Sequence, residues 1–297
     1  MSTTATKASR DTAPEFESRP ETPPRNRVRV LVLAIGAVAF LFPFYYMVIG
    51  SFQAVADKSV SGVLPHPDNM TWTNYKEIND AIDAPRALLN SSIFTIGVIL
   101  FTVLFGLLAG YALAVMHFRG RQTVLSSVIL VLVVPFQLLQ IPLYVLIVRG
   151  YGLGNTYIGM ILPFAINSTA VFIFRQFFLQ LPREMFEAAY IDGTSELRTM
   201  LRIAMPLARP AILNAVLLTF IGPWNEFLWP FLVTKQQSMQ PFAVALANYM
   251  NNVAGRATNP DGANMAGGVL LAIPPVVLFL IFQKHFTSTD IGSGVKG

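Results

Sequence analysis

Long uncharged apolar stretches alternate with shorter polar ones along this chain. Six apolar blocks stand out, at 30–50, 93–116, 124–148, 155–174, 210–233 and 264–282. A helix that crosses the hydrocarbon core needs about 20 such residues. The first three blocks and the fifth meet that length unaided; the fourth and sixth need their flanks. Only Glu226 brings a formal charge into any block. Backbone groups in lipid must be satisfied within the segment itself, so each block is predicted to be helical. The spanning strands of a barrel would be about 10 residues long and would alternate apolar with polar positions, and these blocks do not. The pattern therefore predicts an all-α membrane protein with six transmembrane helices. Proline recurs inside the blocks, at Pro43, Pro135, Pro142, Pro163, Pro223, Pro230, Pro274 and Pro275. Each removes a backbone donor and can bend its helix. Gly106 and Gly110 lie four apart in the second block, a spacing that lets another helix approach closely.

Outside the blocks the chain divides simply. Residues 1–27 are polar and punctuated by Pro14, Pro20, Pro23 and Pro24, and are expected to be a disordered tail. Residues 28–290 form one six-helix transmembrane domain, and 291–297 a short C-terminal tail. The first apolar run comes too late and is too long for the core of a secretory signal. Of 297 residues, 54% are hydrophobic and 12% charged, which is about half the charge of a soluble domain. The net charge of +5 is therefore no nucleic-acid footprint, because the basic residues sit in loops between apolar blocks. With the N-terminus inside, 15 of the 21 basic residues fall on the cytoplasmic side, so both termini are expected there. The chain has no cysteine and three scattered histidines, His66, His117 and His285. No metal site, cofactor or catalytic cluster is expected from them.

The longest loop predicted inside, 175–209, carries the strongest local signals. Pro182 suits the first position of a helix, with Glu184 in the first turn, where the helix dipole favours an acid. Gly193 supplies a left-handed stop. Thr194 is placed to cap a second short helix, with Glu196 near its start, that ends before Pro206. Two short helices joined by a tight glycine turn are predicted.

Those residues carry a resemblance. Glu187-Ala188-Ala189, three residues, Gly193, nine residues, Ile203, one residue and Met205-Pro206 is similar to the EAA motif of ABC importer permeases, with Met205 where the family has leucine. Gly110-Tyr111-Ala112-Leu113-Ala114 followed by Phe118-Arg119-Gly120-Arg121 resembles the end of the second helix in sugar-type permeases. Trp224-Asn225-Glu226-Phe227-Leu228-Trp229-Pro230 resembles their fifth helix. The closing Gly292-Ser293-Gly294-Val295-Lys296-Gly297 resembles the tail of the maltose-type second permease. The resemblance implies a subunit of the bacterial inner membrane that pairs with a sister permease above two ATPase subunits and receives solute from an extracytoplasmic binding protein. It implies that Glu187, Ala188, Ala189, Tyr190, Asp192, Gly193, Ile203 and Pro206 couple the loop to the ATPase. Independently of it, the chain has no G-x-x-x-x-G-K-[ST] phosphate cradle, so any ATP-derived force must arrive through a contact.

Polar groups at membrane depth are the pathway candidates: Gln137, Gln140, Asn167, Ser168, Asn214, Asn225 and Glu226. Amides and hydroxyls bind sugars, but they also hydrogen-bond between helices, and both readings stand. Glu226 is expected to serve structure first and solute second. The competing function is a stand-alone ion-coupled transporter, for which Glu226 would be the one available ionisable group. A membrane enzyme would want a cluster of nucleophile, acid and base that the sequence does not offer.

Overall fold

A computed structural model describes residues 27–57, 59–252 and 258–288. The tails expected at 1–27 and 291–297 lie outside the described residues, apart from Arg27. Among the described residues the chain is helical, with one isolated antiparallel bridge between Gln53 and Met70. It divides into two units at residue 45. In the first, described from Arg27, the early part of α1 (Arg27–Phe52) exposes every side chain to its surroundings.

The second unit is organised around α3 (Ala84–Ala114), a 31-residue helix about 46 Å long at 1.5 Å per residue. Its start is fixed by Asp83, left-handed at φ 51°, whose side chain accepts the Arg86 amide. Its end is fixed by Arg121, whose guanidinium donates to the carbonyls of Leu113 at 2.9 Å, Ala114 at 3.1 Å and Met116 at 3.3 Å. A cation at a helix C-terminus both satisfies the open carbonyls and opposes the dipole. The G-x-x-x-G stretch faces α7 (Ser168–Leu179): a Cβ on Gly110 would stand 2.6 Å from Phe174 Cβ and 2.9 Å from the Arg175 amide nitrogen. The two glycines are what let these helices pack backbone to backbone.

At the opposite end, Asn90 is fully buried and spends all its hydrogen-bonding groups on neighbours. Its amide donates to the carbonyls of Ser238 and Gln240, and its carbonyl accepts from the Tyr157 hydroxyl at 2.7 Å. Close by, α2 (Thr73–Ile82) packs with two helices from late in the chain. Ile78 and Ile82 meet Phe242, Tyr249, Ala263 and Ala266 in one core.

Among the described residues three helices are long and apolar enough to cross a membrane, α1, α3 and the last, which runs Pro260–Ser288; counting each of three bent pairs as one span gives up to six, one of those pairs joining the 196–207 stretch to 209–225. Bends interrupt several of the blocks, as the prolines within them allow. The third block turns by 97° between α4 (Arg121–Val133) and α5 (Phe136–Tyr144), which a six-residue π-helical stretch extends to Gly150. Val134 there takes the extended geometry that a following proline favours. The fourth block becomes helical only at α6 (Tyr157–Ile161), because Asn155, at φ 54°, turns its side chain onto the amides of Lys235 and Gln236. It then bends by 50° before α7. The fifth block ends its first helix at Asn225 and resumes at Leu228.

Candidate functional site

The loop after α7 begins with α8 (Arg183–Ile191). Pro182 stands one position earlier than predicted, as the N-cap rather than the first helical residue. Gly193 adopts φ 71°, its amide reaching Tyr190 O while the Thr194 amide reaches Ala189 O. This pair of bonds is the Schellman cap, which needs a residue free to be left-handed at that position. An added Cβ on Gly193 would meet nothing within 4 Å, so the constraint is the backbone angle alone.

Thr194 closes the first helix instead of opening the second. Its hydroxyl donates to Ala189 O at 2.7 Å and meets the Thr199 hydroxyl, and Ser195 is the N-cap of α9 (Glu196–Thr199). The second helix also does not stop before Pro206. It widens into a π-helical turn at Met200–Ala204 and continues through α10 (Met205–Leu207). There the Met205 amide bonds five residues back, to Met200 O, which accommodates a proline that a tight α-helical ladder would exclude. After Ala208 the chain turns by 76° into α11 (Arg209–Asn225).

The loop has a buried face and a bare one. Phe186, Met200, Ala204 and Ala208 pack with Tyr111 of α3 and Phe174 and Phe178 of α7. Ala189 is also buried, whereas Ala188, Glu187, Tyr190 and Asp192 are exposed. Of the remaining motif residues, Ile203 is half-buried and Pro206 exposed. Ile191 at the end of α8 is 86% exposed and Leu197 on α9 59%. The Glu196 carboxylate accepts from the Tyr190 hydroxyl at 3.0 Å and from the Tyr111 hydroxyl at 3.2 Å. Burial, and then that carboxylate, push the Tyr190 phenol above its ordinary range.

The pathway candidates fall into three groups. Asn167 and Glu226 are helix caps: Asn167 Oδ1 accepts the Ala170 amide at the start of α7, and Glu226 Oε1 accepts the Trp229 amide at the start of α12 (Leu228–Val233). Ser168 is half-buried in the first turn of α7, and Gln140 is buried on α5. Gln137 on α5 and Asn214 and Asn225 on α11 are exposed, with Asn225 donating to Ile221 O. Among the described residues none of the seven is hydrogen-bonded to another.

What joins the broken spans is a residue that the sequence pattern passed over. Trp229 is fully buried, and its indole donates to the carbonyls of Gly159 and Met160 on α6. Phe136 of α5 stands edge-on to it at 6.3 Å and lies 4.8 Å from Phe164. One aromatic joint thus holds α5, α6 and α12. Trp229 lay in the stretch that resembled sugar permeases, so the signal was present but without an assigned task.

Roughly six apolar spans, several of them bent, and an ordered polar loop ahead of α11 define the architecture of a multi-pass membrane protein. Residues 88–289 match the family described as "Binding-protein-dependent transport system inner membrane component". The chain belongs to that family of ABC importer permeases, which are inner-membrane subunits and not enzymes. Its members work with a separate ATPase and a solute-binding protein, which sets aside the stand-alone ion-coupled transporter. The chain is 32% identical over 277 residues to the arabinooligosaccharides transport system permease protein AraQ of Halalkalibacterium halodurans, covering 90% of this chain and 96% of that protein. It is 30% identical over 275 residues to the sn-glycerol-3-phosphate transport system permease protein UgpE of Rhizobium meliloti, covering 89% and 95%. The fold matches a chain in the crystal structure of a bacterial ABC transporter involved in the import of the acidic polysaccharide alginate. The TM-score is 0.77 at 22% identity, over 88% of this chain and 95% of that one.

Proposed function

We propose that this chain forms, with a sister permease, the translocation pathway for a sugar or sugar-like solute, and that two ATPase subunits drive it through the 183–207 loop. The observation that carries the coupling part is the bare face of α8. Ile191 is an exposed apolar group on the same helix as the exposed Glu187 and Ala188, followed by exposed Asp192, and Leu197 is exposed on α9, on a segment whose opposite face is locked into the helix bundle. An apolar centre with a polar rim is what a protein partner covers. Glu187 and Asp192 supply the rim charge, Ala188 the close approach, and Gly193 the turn that sets the angle of α8.

The solute class rests on the relatives, whose names give arabinooligosaccharides and sn-glycerol-3-phosphate. Both are polyhydroxylated. The half-buried Ser168 and buried Gln140, beside the joints of broken spans, are suited to hydroxyl groups, because discontinuous helices expose backbone dipoles at membrane depth. Labelled arabino-oligosaccharides, disaccharides and glycerol phosphates should be offered to cells lacking this chain. Uptake of one of them should be lost, and restored by the intact chain. Unchanged uptake of every one would overturn the sugar assignment.

The orientation follows from the 15 cytoplasmic basic residues of 21, with both termini and the 183–207 loop inside. The chain has no cysteine, so Ser61→Cys and Ser195→Cys, both at exposed positions, report sidedness cleanly. An impermeant maleimide added to intact spheroplasts should label Ser61→Cys alone. Labelling of both from outside would contradict the orientation.

A further inference from the structure

The two faces of the 183–207 loop differ in how firmly they can hold. The buried face is apolar: Phe186, Met200 and Ala204 against Tyr111 and Phe178. Apolar contact is non-directional, and by itself it lets a short helix slide or roll on its support. One polar device crosses that contact. Glu196, half-buried in the first turn of α9, takes the hydroxyl of Tyr190 from the last turn of α8 and the hydroxyl of Tyr111 from the last turn of α3. Hydrogen bonds to a carboxylate are short-range, directional and about twice as strong as neutral ones. Tyr111 is 2% exposed and held edge-on by Phe178 at 5.6 Å and Phe186 at 6.1 Å, so its hydroxyl is a fixed post. Beyond it, α3 is an unbroken helix whose end is capped by Arg121 and whose far end is pinned through Asn90.

We propose that Glu196 is a positioning residue which clamps α8 to α3 through Tyr190 and Tyr111, so that a displacement of α8 moves α3 rather than slipping on the apolar bed. This rests on the reading of α8 as the ATPase contact and adds the route by which that contact reaches a spanning helix. A rod of this kind transmits movement only if both ends are held. Of the two attachments at the loop end, the clamp is the directional one.

The test uses the whole complex, with sister permease and ATPase pair, in lipid nanodiscs, and the loaded binding protein added. The probe is MgATP, and hydrolysis is read with and without the binding protein. Tyr111→Phe keeps the ring and its packing and removes one hydroxyl. Glu196→Gln keeps the shape and removes the charge, and Glu196→Leu removes the acceptor. Each variant should assemble and retain its ATPase subunits. The stimulation by the loaded binding protein should fall, by about fivefold or more for Glu196→Leu and less for Glu196→Gln. Adding Tyr111→Phe to Glu196→Leu should cost nothing more, because the bond it removes is already gone. A purely structural role would lower complex yield and basal and stimulated hydrolysis together, leaving their ratio intact, and that outcome would overturn the clamp. So would full stimulation in Glu196→Leu. Glu187→Lys, run alongside, separates the two readings. If it too retains its ATPase and full stimulation, the docking surface is wrong; if it loses ATPase while the Glu196 variants behave as the intact chain, only the clamp fails.

Discussion

Gly110→Leu should leave almost no folded protein in the membrane. A Cβ at this position would lie 2.6 Å from Phe174 Cβ and 2.9 Å from the Arg175 backbone nitrogen. Neither obstacle is the far end of a flexible side chain, so α3 and α7 must separate to admit it. Overpacking by a methylene or two in a tight core costs about 1–3 kcal/mol, and a leucine adds four carbons at a backbone contact. Gly106→Ala is the internal comparison. There the nearest atoms are the Phe174 ring edge at 3.0 Å and Ala170 Cβ at 3.2 Å, side-chain atoms at a longer range than the backbone contact at Gly110. The check is the yield of monodisperse protein in detergent and its thermal unfolding. Gly110→Leu should give little or none, Gly110→Ala a clearly lowered midpoint, and Gly106→Ala a smaller shift. Normal yield and midpoint for Gly110→Leu would mean that α3 and α7 do not meet as described.

Transport should collapse in Glu187→Lys and Gly193→Val for two different reasons. Glu187 is exposed on α8, so reversing its charge leaves the fold alone and removes any charge-assisted bond to a partner, worth about 1.5–3 kcal/mol or a tenfold or greater loss. Gly193 has room for a side chain but not the backbone angle for one. An L residue held left-handed costs about 1–2 kcal/mol, and a β-branched one more. Gly193→Val should break the bonds from the Gly193 and Thr194 amides that end α8 and reorient the helix. Gly193→Asn, which tolerates the left-handed region, should retain most of the activity. Solute uptake by cells producing each variant at matched membrane levels measures this. Equal loss in Gly193→Asn and Gly193→Val would place the effect in the side chain rather than the turn.

The sequence shows these features unevenly, for physical reasons. The straight helices announce themselves by apolar length, and α3 and the last helix simply extend beyond their apolar blocks into polar flanks. The breaks are harder to see. Pro43, Pro142, Pro274 and Pro275 remain inside helices while the chain turns by 97° at Pro135. The difference lies in distant contacts, since Phe136 packs beside Trp229, 93 positions later in the chain. The loop is legible where its signals are local, as at Glu184 and Gly193. It misleads where two local roles compete: Thr194 has the right side chain for either cap, and its bond to Ala189 O decides for the first helix. Pro206 reads as a stop because the π-helical widening that tolerates it has no sequence signature. The Tyr111–Glu196 bond, across 85 positions, exists only once α3, α8 and α9 are folded together.

The central claim is that the bare face of α8 is where the ATPase attaches. The most direct measurement is the amount of ATPase that co-purifies with this chain from detergent-solubilised membranes, for the intact chain and for Glu187→Lys. The intact chain should bring down its ATPase with the sister permease. Glu187→Lys should bring down the sister permease undiminished and the ATPase at a small fraction of that level. Equal ATPase recovery from both would contradict the claim.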